Sequence, residues 1–381
     1  MTDYTDYAAL ARFYAGKRVF VTGHTGFKGS WLCHMLAGFG AAVTGYSLEP
    51  PTEPSLWRAM RLDDCVQSVI GDVRDYDALS RAFAAAEPEI VLHLAAQPIV
   101  RASYRDPRYT YETNVMGTVN LCECVRVHGG VRSFLNVTTD KVYQNREWHY
   151  GYREIDPLDG FDPYSNSKSC SELVTHSYTN AFFAAMGVAA STARAGNVIG
   201  GGDFAPDRII PDCVRTAARG DTIIVRNPDS TRPFQHVLEP LTAYLALAAA
   251  QYDDAALAGC YNVGPDDCDC VTTGALADLF CAAWGDARWE HVPDGGPHEA
   301  TFLKLDSSLI RAAVGWRPRW HMDTAVEKTV SFYRAFVSAP DAAAGGAADT
   351  LRKIADEQIA DYFSPHHPQP KTTNYELRTK N

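Results

Sequence analysis

Short apolar runs alternate with longer segments of helical spacing through the first half of the chain. Residues 17–22 read as a short buried strand, a glycine-rich turn follows, and 27–39 has apolar positions recurring at helical intervals. The next strands are predicted at 42–48 and 66–70, and helix 76–86 leads to strand 89–96. That last run is continuously apolar, as a parallel strand covered on both faces should be. Helix 109–127, strand 133–138 and helix 164–186 continue the alternation. Repeated strand–helix order predicts an α/β fold, a doubly wound parallel sheet of Rossmann type.

Beyond Val198 the pattern breaks into shorter, mixed elements rich in glycine and proline. The division expected is a polar leader at 1–16 and a dinucleotide-binding domain at 17–200, with return segments within 237–264. A smaller C-terminal substrate lobe takes 201–236 and 265–338, and a linker, an amphipathic helix and a polar tail fill 339–381. Repeats are not evident.

Composition narrows the function classes. Lys and Arg number 35 against 46 Asp and Glu, for a net charge of −11, which argues against a nucleic-acid surface but leaves room for a local phosphate pocket. The longest apolar stretch, near 181–190, is too short to span a bilayer, and the N-terminus lacks the pattern of a signal peptide. Ten cysteines without a C-x-x-C pair suit a reducing cytoplasm. Cys268-Asp269-Cys270 lacks a second ligand pair at recognisable spacing, so no metal is expected.

Candidate chemistry begins at the first turn, Gly23-His24-Thr25-Gly26-Phe27-Lys28-Gly29. Its glycines permit a tight turn and close approach of backbone to a pyrophosphate, with the following helix directing N–H groups at the phosphates. Asp72 and Val73 end the third strand, where an adenine edge would lie. Leu94, Ala95 and Ala96 end the fourth with small side chains against which a cofactor could rest. Only Ser47 and Glu49 stand near the end of the second strand to meet a ribose; NAD is favoured over NADP without being fixed. Tyr164 and Lys168, four residues apart, share one helical face, and a nearby ammonium should lower the phenol's pKa towards that of a usable base. Thr139, Asp140 and Lys141 follow the fifth strand at the carboxyl edge where such sheets bind ligands. Arg suits pyrophosphate through its planar fork, which makes Arg208 and Arg232 candidates beside Asn197 for the nucleotide end.

Together, the glycine turn, the Tyr-x-x-x-Lys pair and the Thr-Asp-Lys triplet resemble the extended short-chain dehydrogenases/reductases, and within them the nucleoside-diphosphate-sugar 4,6-dehydratases. Gly23–Leu32, Ala95-Ala96-Gln97-Pro98, Asn114–Thr118, Asp162–Lys168, Arg194–Asp203, Arg232–Pro240 and Pro297–Ala300 are similar to the motifs of the branch acting on CDP-glucose. The resemblance implies NAD as cofactor, a CDP-sugar substrate, and a homo-oligomer, dimer or tetramer. It implies Tyr164 as the base at the sugar 4-hydroxyl, Lys168 on the nicotinamide ribose, Thr139 on the 4-oxygen and Asp140 as the acid at C6. Gln97, Asn197, Arg208, Arg232 and His298 would hold substrate. Lys141 stands where many relatives carry Glu, as a base at C5 or a charge stabilising the enolate, the two roles remaining open. His24 stands where relatives carry a smaller residue, and its ring is expected to loosen dinucleotide binding. An epimerase of the same superfamily is the alternative activity; a non-catalytic dinucleotide sensor fits less well with Tyr164 and Lys168 both present.

Overall fold

A computed structural model of the chain describes residues 3–293, 302–339, 341 and 346–365. Seven parallel strands form the central sheet: β1 (Arg18–Thr22), β2 (Ala42–Ser47), β3 (Gln67–Ile70), β4 (Ile90–His93), β5 (Ser133–Thr139), β6 (Ala189–Ala195) and β7 (Cys260–Val263). Their order is β7-β6-β5-β4-β1-β2-β3, so the chain reverses direction across the sheet between β1 and β4. Every residue of β5 and β6 is buried, which accounts for their mostly apolar and small residues, with Asn136 and Arg194 as the exceptions.

The helices that matter for the site are α1 (Phe27–Gly38), α2 (Tyr76–Ala86), α3 (Gly117–His128), α4 (Pro163–Tyr178), α5 (Leu238–Asp253), α6 (Thr273–Trp284), α7 (Met322–Ser338) and α8 (Ala348–Tyr362). One sheet face packs on α2, α3 and the end of α4 through Phe83, Leu121, Val125, Phe134 and Phe183. The other packs on α1 and α5 through Trp31, Leu36, Leu241 and Leu245. A third cluster, around Ile210, Phe280, Val326 and Tyr333, fills the C-terminal lobe.

Three sequence expectations change. The helix expected at 109–127 is interrupted: a turn of π-helix at Glu112–Met116 separates Pro107–Tyr111 from α3. The extra residue turns Asn114 inward, where its amide accepts from Gln97 N (2.8 Å) and donates to Gln97 O (3.1 Å) and Ser167 Oγ (2.9 Å). Helix 164–186 is likewise broken by a π turn at Thr179–Phe183. Both expected return segments come back to the central sheet, Cys260–Val263 as edge strand β7 and the apolar run from 237 as a helix packed on β5 and β6. In α5, every residue from Leu238 to Tyr252 is buried, because the sheet lies on one side and further helices lie on the other. One of these is Tyr7–Tyr14, a helix inside the stretch read as a leader; Asp6 caps it and Tyr14 donates to Leu245 O (2.8 Å).

Candidate active site

The first turn has the shape its glycines imply. Gly23 has φ +77°, and a Cβ there would lie 2.8 Å from Ala95 N; one on Gly29 would lie 2.1 Å from Gly23 O. Side chains are excluded at both positions, so bare backbone faces the β1–β4 crevice. Gly26 starts α1 without a side-chain cap, leaving the helix N–H groups for an anion. The ends of β1 and β4 are pinned together by Thr22, whose Oγ1 accepts from Leu94 N and Ala95 N (3.2 Å each) and contacts His93 Nδ1 (2.7 Å). An exposed-backbone cradle and an uncapped helix start suit a dinucleotide pyrophosphate.

His24 departs from its expected effect. Its ring is buried, within hydrogen-bonding distance of Ser68 Oγ (2.7 Å) and edge-on to Trp57. It fills the notch left by the missing side chain of Gly45, where a Cβ would fall 2.3 Å from the imidazole. Burial lowers its pKa to about 4. The ring points into the protein, and the steric reason for loosened cofactor binding falls away.

Beside the cradle opens a cavity of ≈ 920 Å³, lined among others by Phe27, Lys28, Thr138, Thr139, Lys141, Tyr164, Asn197, Arg208 and Arg232. The carboxyl end of β5 delivers Thr139, a turn of 3-10 helix delivers Asp140 and Lys141, and the Asp162-capped start of α4 delivers Tyr164. Lys141 Nζ donates to Asp140 Oδ1 (2.8 Å) and Asn197 Oδ1 (3.0 Å). Thr139 Oγ1 donates to the same Asp140 oxygen (3.0 Å), while Asp140 Oδ2 is buried without a hydrogen-bond partner. Arg208 is held by Asp203 (2.8 Å), and Arg232 donates to Thr231 O (3.1 Å). Seven basic side chains, Lys28, Arg101, Lys141, Arg146, Arg208, Arg226 and Arg232, line the cavity together with five acidic ones, Glu147, Asp162, Asp203, Asp207 and Asp212. Burial, with Lys168 and Arg208 nearby, lowers Lys28 to about 7.

The electrostatics of Tyr164 run against expectation. Burial raises its phenol to about 12, overriding the lowering by its hydrogen bond to Thr139 and by Arg208. Lys168 does not offset this: its ammonium donates to Val137 O (3.0 Å), and burial lowers it to about 8 against the pull of Glu172. In the protein alone the phenol is therefore a proton carrier at rest.

Other expected site residues lie apart from the cavity wall. The Asp72 carboxylate is clasped by Arg74 (2.6 Å), and Val73 packs against Gly117. Gln97 spends its side chain on the loop: Nε2 donates to Thr110 Oγ1 (3.0 Å) and Oε1 accepts from Ile99 N (2.7 Å). Leu94 and Ala95 back the glycine turn, with Ala96 half-buried beside them. His298 and its Pro297–Ala300 motif lie outside the described residues.

Sequence reasoning missed the pair beneath the triplet. Arg194 and Glu172 form a buried ion pair (2.9 Å), and Glu172 also accepts from Thr138 and from Thr192 Oγ1 (2.6 Å). Arg194 continues the network to Tyr143 Oη (2.8 Å). An arginine inside an otherwise uncharged buried strand was the available signal.

The GDP-mannose 4,6-dehydratase family model matches residues 20–329. The chain is 48% identical to a CDP-glucose 4,6-dehydratase of Salmonella typhimurium, over 92% of this chain and 98% of that protein. It is 29% identical to a dTDP-glucose 4,6-dehydratase of Streptomyces antibioticus, over 82% and 91%. In three dimensions it is similar to a dTDP-glucose 4,6-dehydratase of Bacillus anthracis solved in complex with NAD. That match has a TM-score of 0.69 and 20% identity over 84% of this chain and 97% of that one. With a matching family model over most of its length and a relative so similar from end to end, the chain belongs to the GDP-mannose 4,6-dehydratase family.

Proposed function

We propose that this protein is an NAD-dependent hydro-lyase that converts CDP-glucose to CDP-4-dehydro-6-deoxyglucose. The observation that carries the reading is the convergence of Thr139, Lys141 and Tyr164 on one cavity beside the glycine cradle, with Asp140 buried directly behind and bonded to both Thr139 and Lys141. The likeness to the Salmonella enzyme supports CDP-glucose as the substrate. Gly23, Gly26 and Gly29 would hold the dinucleotide with Lys28, and Lys168 its ribose. Bound NAD supplies the acceptor, and later the donor, that makes oxidation at C4 and reduction at C6 one internal exchange.

The chain's own residues move the protons. Tyr164, after giving up its own phenolic proton to solvent, would take the proton of the sugar 4-hydroxyl, with Thr139 hydrogen-bonded to the same oxygen. The resulting ketone acidifies C5. Lys141 and Asp140 then act as one unit. At rest they are an ion pair (2.8 Å); passing one proton from Nζ to Oδ1 makes a neutral amine and a carboxylic acid. The amine removes the C5 proton, the acid protonates the C6 hydroxyl, water leaves, and the ion pair is restored. An epimerase would have no use for this acid–base pair. Arg208, Arg232 and Asn197 would hold the nucleotide end.

Free thiols at all ten cysteines suit a reducing cytoplasm. Among the described residues, no helix is long and apolar enough to cross a membrane. Exposed Met116, Leu173, Phe182 and Met186 along α3, α4 and their π turns suit a homo-oligomer formed through those helices.

The test is a panel of CDP-, dTDP-, GDP- and UDP-hexoses incubated with and without NAD. The expected result is a 4-keto-6-deoxy product, absorbing in strong alkali, from CDP-glucose above the others. Formation of a 4-epimer instead would sink the reading.

A further inference from the structure

We propose that Cys268, Asp269 and His321 form a site for a divalent transition-metal ion of the Zn²⁺ kind in the C-terminal lobe. In sequence, Cys268-Asp269-Cys270 lacks a second ligand group; the fold brings His321 to it from 52 positions away. Asp269 ends a turn of 3-10 helix at Asp267–Asp269, and His321 immediately precedes α7. The three donor atoms lie within 4.8 Å of one another. Asp269 Oδ2 is 2.9 Å from His321 Nδ1 and 3.5 Å from Cys268 Sγ. Around a tetrahedral Zn²⁺, with bonds of about 2.0–2.3 Å, neighbouring donors stand roughly 3.4 Å apart. The side chains need only small adjustments to meet that spacing.

Thiolate, imidazole and carboxylate together favour Zn²⁺ or a similar borderline ion over Mg²⁺ or Ca²⁺. Asp269 is buried, His321 half-buried and Cys268 exposed, which gives an entering ion a route and leaves room for water as fourth ligand. The carboxylate is already oriented, since its other oxygen accepts from Met322 N (3.0 Å). Cys270 takes no part; its thiol faces Asp266 O at 3.9 Å. Binding releases the Cys268 thiol proton to solvent and shifts the imidazole proton from Nδ1 to Nε2, with no change of oxidation state. The ion staples the start of α7 to the segment leading into Val271–Thr272, which pairs with Thr231–Arg232 beside the catalytic cavity.

Co²⁺ added to chelator-treated full-length protein tests the site. The expected result is saturation at one ion per chain, with thiolate-to-cobalt charge-transfer absorption that Zn²⁺ abolishes by displacement. Cys268→Ser, at an exposed position, should lose the band while keeping turnover, and Cys270→Ser should keep the band. His321→Asn retains a donor for Asp269 and should bind Co²⁺ more weakly. Absence of the band in the unaltered protein, its survival in Cys268→Ser, or unchanged affinity in His321→Asn would overturn the proposal.

Discussion

Lys141 is the residue whose role the geometry sharpens most. Both of its partners, Asp140 Oδ1 and Asn197 Oδ1, are acceptors, and the first is the carboxylate that would exchange a proton with it. A residue that only stabilised the enolate by charge would be replaceable by Arg. One that swaps a proton with Asp140 would not, because a guanidinium keeps its protons. Lys141→Arg is therefore expected to lower product formation by about 10²–10⁴-fold and to abolish entry of solvent deuterium at C5; retention of both would restore the electrostatic role. Gly45 offers a different test. A methyl group there meets the His24 ring, so Gly45→Ala should destabilise the fold by about 1–3 kcal/mol, read as a lower urea midpoint. The glycine turn, the triplet and Tyr164 were legible as residue types at set spacings. The inward course of His24 was not, because it depends on a vacancy in β2, a neighbour only in space.

Among the elements, α4 carries more than the Tyr164–Lys168 pair. One turn beyond Lys168, Glu172 meets Arg194 of β6 and the hydroxyls of Thr138 and Thr192. Removing one partner of a buried ion pair strands the other charge. Glu172→Ala should thus cost about 3–5 kcal/mol in chemical denaturation and shift the β5 end on which Thr139 sits. A midpoint within error of the parent would show the pair to be dispensable. Strands and most helix starts could be read from apolar runs and caps. The π turns could not, since one extra residue per turn leaves the apolar spacing nearly unchanged; nor could α5, whose burial on every side erases the amphipathic signal.

At the scale of the molecule, buried titratable groups set how stability varies with pH. Burial lowers His24 to about 4, and His93 and His236 to about 3, so all three are neutral when folded. Unfolding lets them bind protons below their ordinary value near 6.5. Their contribution is complete above that pH and is lost progressively as pH falls towards 3–4. Burial raises Glu239 to about 7, which acts in the opposite sense: its contribution is full below about 4.5 and is lost as pH rises through 7. Between 4.5 and 6.5 three groups oppose one. Unfolding free energy should therefore fall on acidification through that window, by roughly 1.4 kcal/mol per pH unit for each net proton. Urea titrations at pH 6.5 and 5 check the sign; a rise at pH 5 would contradict it.

The last described helix ties together parts far apart along the chain. From α8, Arg352 donates to Met60 O (2.6 Å), Asp356 meets His34 of α1 (2.8 Å), Gln358 donates to Lys328 O of α7 (2.9 Å), and Tyr362 donates to Glu239 of α5 (2.6 Å). A single cut between α7 and α8 would spare every residue assigned to catalysis. Because α8 grips the protein through these contacts and not through its link to α7, a nicked chain should keep the helix docked, whereas a chain lacking it would lose its ties among Met60, α1, α5 and α7.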